Sequence, residues 1–463
     1  MAPSGRAPDA TLPPRGFAAR LPVHVFRAQT NALAAAFGPF ARKVMSLSAL
    51  TAAGQVSFVI ALPILSRLYS PSDFGLFTIY LSIVNLGGPV VGLKFESALF
   101  ATRTRQEQGT TLVLSLLTII VMSSAAAVAL SIFASQLTAL SPMARWMAWM
   151  LPFGLMLAGT WSASSAWAIK SEAISTLGVA RLVQPAAMTA LQLAAGLSLP
   201  SSGFALIGAH MVSHVAYSTF IFWRTLHRKD LAALRPPRWK SVFRLATAHR
   251  GFPFYALPAQ VSFLAVSNLP PLLLSAFYGA GIAGHCGVAY RLVAAPLAIA
   301  SLPLGAIFIG VASRTPDRAT VVPLARKVFL ANLFLVSVPI LLFGAAAPAI
   351  APAVLGDRWI LTGQIIAAFA LIGAAQSLAM PFSEITSIFR FQALRLVTEF
   401  VPAALVVAAI CLGGLNDWEP LKTIWLMSAA GAGGSLVGLT LLWSSLPAMI
   451  DRAAVHRSTG VAA

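Results

Sequence analysis

Arg291 stands inside an apolar run that extends from about residue 285 to 310. A guanidinium keeps its charge at that depth and offers a fork of donors matched to phosphate oxygens, so an anionic ligand would offset its desolvation. The competing use is snorkelling of the long side chain to nearby headgroups. In the run 174–199, Arg181, Gln184, Met188 and Gln192 fall at i, i+3, i+7 and i+11 on one helical face. This stripe reads as a cavity lining, or as a helix entry marked by Arg181 with glutamines gluing helices together. Amides recur at depth: Gln55 shares a face with Ser48 and Thr51, and Gln260 shares one with Asn268.

Carboxylates are scarce. Glu96 follows Lys94 at the end of the second apolar run. A carboxylate in a membrane can bind and release protons, which makes Glu96 the candidate coupling residue. Gln376 and Glu384 are weaker candidates of the same kind, and Arg395 with Glu399 reads as an intrahelical i, i+4 ion pair. His210, His214 and Tyr217 stand at i, i+4 and i+7. Two histidines at that spacing can hold a metal, but no acid or cysteine is near in sequence, so a hydrogen-bonded cavity wall is the expectation. No metal site and no cofactor is expected. Cys286 and Cys411 lie in apolar runs without a CxxC partner and read as small hydrophobes.

The elements that must position these residues follow from composition. The 463 residues are 58% hydrophobic and only 10% charged, with a mean hydropathy of +0.82, which places the chain in a bilayer. Twelve apolar runs lie between residues 45 and 446, six on either side of a basic stretch near 224–251. The formal charge of +19 does not mark a nucleic-acid binder, because the cations are spread over alternate loops. Of the 32 Lys and Arg residues, 27 fall on one side of the predicted membrane and four on the other, leaving Arg291 within. By the positive-inside rule both termini are cytoplasmic. The expected organisation is a basic cytoplasmic tail over 1–43, a six-helix lobe over 44–224, a basic linker over 225–252, a second lobe over 253–446 and a tail over 447–463. The tail is read as disordered, with an amphipathic patch near Phe37 to Lys43; a mitochondrial transit peptide is the alternative for so Arg-rich and acid-poor a start.

One short stretch occurs twice. LSRLYSPSDFG at 65–75 shares Leu, Ser, Tyr and the final Gly with LSAFYGAGIAG at 274–284, an offset of 209 residues. Each copy joins the first and second runs of its own half, so the halves read as parallel repeats related by an axis along the membrane normal. Pro63 and the Pro270–Pro271 pair near these turns are expected to bend their helices. Arg67 brings a charge to the first elbow alone, where the second has Ala276, and is the candidate external-gate residue. Loops are too short for a folded catalytic domain, and neither a GxxxxGK[ST] nor an HExxH motif is present, so an enzyme is not expected.

The stretch LPILSRLYSPSDFGLFTIYLSIVNLGGPVVGLKFESALF resembles the opening helices of Wzx-type polysaccharide flippases of the multidrug/oligosaccharidyl-lipid/polysaccharide (MOP) exporter superfamily. Lys94, Phe95 and Glu96 match that family's basic-aromatic-Glu triplet, and Asn268, Leu269 and Pro270 with Arg291–Leu292 match its second half. The resemblance implies an all-α polytopic membrane protein with two six-helix lobes around a central cationic cavity in a bacterial inner membrane. Its implied cargo is a polyprenyl-diphosphate-linked oligosaccharide for O-antigen, capsule or exopolysaccharide synthesis, and its implied partners are a polysaccharide polymerase and a chain-length regulator. On that reading Arg291, Arg181 and Lys94 hold the diphosphate, while Gln55, Gln184, Gln260 and Asn268 face sugar hydroxyls. A small-molecule or drug exporter of the same superfamily, and a membrane polymerase or glycosyltransferase, are the alternatives. Cation export would need an acidic cavity, and polymerisation a large external loop.

Overall fold

The structure is a computed structural model that describes residues 50–458 apart from 52, 133–141, 199, 201, 227–238, 315–316, 384 and 389–390. The basic tail, its amphipathic patch, residues 227–238 of the linker and Glu384 therefore lie outside the described residues. Helices occupy all twelve apolar stretches, and eight spans are long and apolar enough to cross a membrane among the described residues. The first half holds α1 (Ala53–Leu68), α2 (Pro71–Gly92), a short α3 (Phe95–Ala98), α4 (Arg105–Ile132), α5 (Pro142–Lys170), α6 (Ile174–Ser198) and α7 (Gly203–Thr225). After the amphipathic α8 (Trp239–Ala248) come α9 (Leu257–Pro296), α10 (Leu302–Arg314), α11 (Arg318–Asn332), α12 (Val338–Leu355), α13 (Ile360–Ser383), α14 (Ile385–Ile388), α15 (Gln392–Leu415) and α16 (Pro420–Ser458).

Helix is the required outcome for these sequences, because backbone groups in hydrocarbon must be satisfied within the segment. Proline inside a span does not overturn this. Pro270 and Pro271 sit in uninterrupted helix, and α9 instead breaks at Gly279, whose φ of 84° is open to glycine and disfavoured for other residues. The expected bend at the proline pair is thus relocated to the second copy of the repeated elbow.

The first elbow is set by polar caps. Ser70 and Asp73 form a reciprocal capping box at the start of α2, with Pro71 at the first helical position. The other carboxylate oxygen of Asp73 accepts a 2.7 Å hydrogen bond from the Gly203 amide, so one side chain caps both α2 and α7. Asp73→Ala should therefore lower stability by about 1–3 kcal/mol, more than a single lost cap. A thermal unfolding scan in detergent reads this as a reduced melting temperature.

The shared residues of the repeat do matching work in both halves. Leu65 and Leu274 are buried, and the Tyr69 hydroxyl donates to the Gln192 carbonyl (2.8 Å) while Tyr278 bonds the Thr423 hydroxyl (2.7 Å). Each tyrosine thus ties its elbow to a late helix of its own half. The shared glycines meet across the halves: a Cβ on Gly75 would overlap the Ala280 carbonyl, and a Cβ on Gly284 would overlap the Pro71 carbonyl. The 209-residue offset carries each of these contacts onto the other, and Thr78 packs on its own counterpart, Gly287. This reciprocity is the signature of a two-fold relation between parallel repeats.

A single apolar cluster seals the elbow end. It joins Phe58, Leu65, Tyr69, Phe74 and Phe77 of the first half to Val288, Leu355 and Trp359 of the second. Trp359, wholly buried, packs edge-on to Phe74 (5.3 Å) and donates its indole N–H to the Ser66 carbonyl (2.8 Å), while the Ser66 hydroxyl donates to the Leu355 carbonyl (3.0 Å). His285 bonds Thr362 (2.7 Å) and packs on the same indole. Ser66 makes the cross-half bonds at the elbow. Its neighbour Arg67 is exposed and has no ion-pair partner among the described residues.

Candidate functional site

Arg181 and Arg291 terminate one continuous strip of aromatic and imidazole side chains. At one end, the Arg181 guanidinium lies over the Trp161 ring of α5 (5.7 Å), and Trp161 stacks on Tyr217 of α7 (5.6 Å). The Tyr217 hydroxyl bonds Ser165, one turn along α5 (2.9 Å). At the other end, the Arg291 guanidinium lies 4.6 Å from the Phe58 ring centre and 4.9 Å from that of Phe77. Between them stand His214, 6.3 Å from Trp161, then His210, 4.0 Å from His214, and then Tyr80 and Phe77, 5.6 and 6.0 Å from His210.

The helices that build this strip come together by close backbone approach. Gly54 of α1 meets the Arg181 and Leu182 carbonyls of α6, where a Cβ would not fit without movement. His210, His214 and Tyr217 occupy one face of α7 at the predicted spacing, turned toward α2 and α5. No group of three His, Cys, Asp or Glu among the described residues can hold a metal, and the pair of histidines faces aromatic rings and amides.

Hydrogen bonding at the centre admits two arrangements. His214 Nδ1 lies 3.1 Å from the His210 carbonyl and 3.3 Å from Gln184 Nε2, while Gln184 Nε2 is also 3.2 Å from the Ser213 hydroxyl. A ring nitrogen donates or accepts, never both. With a proton on Nδ1, His214 donates back to its own helix and Gln184 donates to Ser213; without one, Nδ1 accepts from Gln184. The tautomer thus decides where one amide proton of Gln184 points.

The electrostatics are one-sided. Neither guanidinium has a carboxylate partner among the described residues, and Arg181 Nε, His210 Nδ1 and the Tyr80 hydroxyl are buried with no protein hydrogen-bond partner. Cation–π contact compensates a desolvated guanidinium by about 2 kcal/mol, less than its loss of hydration. A site of this kind is complementary to an anion that also carries hydrogen-bonding groups. Among the described residues the histidines have no orienting acid, and the Ser213 hydroxyl donates to the His210 carbonyl (2.7 Å).

The other predicted residues fall elsewhere. Lys94 pairs with Glu96 (3.6 Å), which is 3% exposed and also accepts from the Ser162 hydroxyl (3.1 Å). Lys94 and Leu93 both have positive φ, and this break between α2 and α3 turns the pair inward. Ser162 follows Trp161 on α5, so the ion pair lies on the neighbouring face of that helix, apart from the strip. Asn268 accepts from Asn85 of α2 (3.2 Å) and donates to the Leu264 carbonyl (2.9 Å), forming a polar bridge between halves. Gln192 is buried and donates to the Leu206 carbonyl (3.4 Å), so the cavity-lining stripe of α6 ends short of it and its outer part packs helices together. Gln55 is exposed and Gln260 half-buried, neither with a hydrogen bond among the described residues.

Sequence reasoning passed over Trp161, Tyr80, Phe58, Phe77 and Asn85. Asn85 is a polar residue at membrane depth and satisfied the criterion that selected Asn268. The aromatics carry no such signal, because in an apolar run they are indistinguishable from core.

A family model for polysaccharide biosynthesis proteins matches residues 64–363. The chain belongs to the polysaccharide biosynthesis protein family. Among curated proteins none matches the sequence. This family member has the fold of solved MOP-superfamily transporters. It is similar to the lipid II flippase MurJ in an inward closed conformation (TM-score 0.64, 12% identity, covering 88% of this chain and 87% of that one). It is also similar to a multidrug resistance MATE family transporter in an outward-facing conformation (0.55, 14%, 89% and 97%). A MOP superfamily transporter from Pyrococcus furiosus, described for the reversed polarity of its binding pocket, matches to the same degree (0.56, 14%, 89% and 97%). The family member is accordingly a multi-pass membrane protein of transporter fold.

The Lys94–Glu96 pair makes a separable prediction for this family member. Glu96→Ala should destabilise by about 3–5 kcal/mol, because Lys94 is left largely buried without its counter-charge. Lys94→Met with Glu96→Leu should recover most of that loss in a thermal unfolding scan. Equal melting temperatures for all three proteins would show that the pair is not a structural unit.

Proposed function

We propose that the protein flips polyprenyl-diphosphate-linked oligosaccharides from the cytoplasmic to the periplasmic leaflet of a bacterial inner membrane, for assembly of a surface polysaccharide. The observation that carries this reading is the strip bounded by Arg181 and Arg291, cationic at both ends, free of carboxylates and lined by hydrogen-bonding side chains. A lipid-linked oligosaccharide presents a diphosphate that the guanidiniums complement and hydroxyls that Gln184, Ser213 and His214 complement. Asn268, Gln55 and Gln260 extend the polar groups available to a longer glycan. With basic loops assigned to the cytoplasm, the elbow end sealed by Gly75, Gly284 and Trp359 is the periplasmic one, and transport proceeds by exchange of that seal for one at the opposite end.

Glu96 remains the proposed coupling group, acting by loss and gain of its contact with Lys94. A polymerase and a chain-length regulator are the proposed downstream partners. Export of small cations is disfavoured by guanidiniums without a carboxylate partner among the described residues, and no catalytic constellation among those residues supports polymerisation.

The deciding experiment reconstitutes the full-length protein in liposomes carrying a polyprenyl-diphosphate oligosaccharide and follows exposure of the glycan to an impermeant lectin. Transfer above the rate of protein-free vesicles is expected. Transfer at the protein-free rate, together with normal surface polysaccharide after clean deletion of the gene, would refute the proposal.

A further inference from the structure

The helix α8, between the two halves, segregates apolar from polar residues more strongly than any other of the longer described helices, and it uses three faces rather than two. Val242 is 5% exposed and packs against Phe95 and Leu114, which fixes the helix to the first half. Trp239 and Phe243, at i and i+4, are 66% and 69% exposed on a second face. Lys240 and Arg244, again at i and i+4, are exposed on a third face beside them. The contact with Leu114 also gives α8 a depth. Leu114 lies nine residues into α4, about 14 Å from the helix start, so α8 packs toward the Arg105 end of that span and not at its middle.

Exposed aromatics flanked by cations at that depth match neither water nor hydrocarbon. They match the headgroup layer, where aromatic rings sit among acyl carbonyls and Lys or Arg reach phosphates. Charge complementarity identifies the occupant. No Asp or Glu occurs in the sequence between Asp230 and Asp317, and neither Lys240 nor Arg244 forms an ion pair among the described residues. Just beyond the helix, Arg250 adds a further cation, and Phe254 and Tyr255, 72% and 80% exposed, add a second aromatic pair.

We propose that α8 is an anionic-phospholipid docking site, in which Lys240 and Arg244 hold the phosphate of a lipid such as phosphatidylglycerol while Trp239 and Phe243 enter the acyl boundary. This site is separate from the strip between Arg181 and Arg291 and does not depend on what that strip transports. Docking there would hold the linker against the membrane while the halves move.

The test uses the full-length protein in nanodiscs of phosphatidylethanolamine and phosphatidylglycerol, with retained lipid counted by native mass spectrometry. Phosphatidylglycerol should be enriched over its share of the bilayer. Lys240→Gln with Arg244→Gln should lower that enrichment at least fivefold, since one basic residue near an anionic surface contributes roughly fivefold. Lys240→Arg with Arg244→Lys should keep it, which separates charge from a folding defect. Equal enrichment in the wild-type and Gln proteins would overturn the proposal. So would preferential retention of polyprenyl phosphate over phosphatidylglycerol at equal mole fraction, which would assign the helix to substrate entry instead.

Discussion

Arg291→Gln is expected to cut flipping of a lipid-linked diphosphate oligosaccharide by about 10- to 100-fold, because a hydrogen bond to a charged group contributes about 1.5–3 kcal/mol. The substitution keeps a polar side chain of similar reach and removes the charge. Protein level should be unchanged, since the guanidinium lies over the rings of Phe58 and Phe77 and supports no ion pair among the described residues. Arg291→Lys should fall between the two, because an ammonium retains the charge and loses the bidentate fork. The readout is initial flipping rate per reconstituted protein in the lectin assay. A wild-type rate in Arg291→Gln would remove this residue from the binding strip.

A disulfide between Ser72→Cys and Gly281→Cys is expected to abolish transport and to release it again on reduction. A Cβ on Gly281 would lie 3.7 Å from the Ser72 hydroxyl oxygen, and the two residues belong to opposite halves beside the Gly75 and Gly284 crossing. That separation suits a disulfide with little backbone movement. The native Cys286 and Cys411, both free, would first be replaced by alanine. If the seal must open in every cycle, a covalent bond across it stops the cycle with substrate still bound from the other side. Full transport by the oxidised protein would show that the elbows stay together during flipping. Trp359→Ala should have the opposite effect on this end, since it removes the 2.8 Å bond to Ser66 and a side chain buried among both halves. Its measure is faster labelling of a Ser72→Cys probe by an impermeant maleimide.

Membrane class and helix placement were legible because they follow from local composition. Apolar runs long enough to span a bilayer have one available backbone solution, so the helices at all twelve stretches required no tertiary information. Charged and amide residues at depth were legible for a related reason, because cost marks function. Arg181, Gln184 and Arg291 lie along one strip. Gln192 and Lys94 lie apart from it. Burial against α7 turned one into helix packing, and a left-handed turn at Leu93 and Lys94 delivered the other to Glu96.

By itself the sequence determined that this is a helical membrane protein made of two related halves, each opening with the same elbow and each placing cations or amides at depth. Spacing along the chain carries that information directly. Only the tertiary structure decided why the elbow repeats its glycine, for Gly75 and Gly284 are needed where two backbones from opposite halves meet reciprocally. Only it decided that two arginines 110 positions apart bound one aromatic strip, and that Trp359 of the second half packs into the elbow of the first. Such pairings depend on which faces of distant helices turn toward each other, and a hydrophobic period fixes a face without naming its partner.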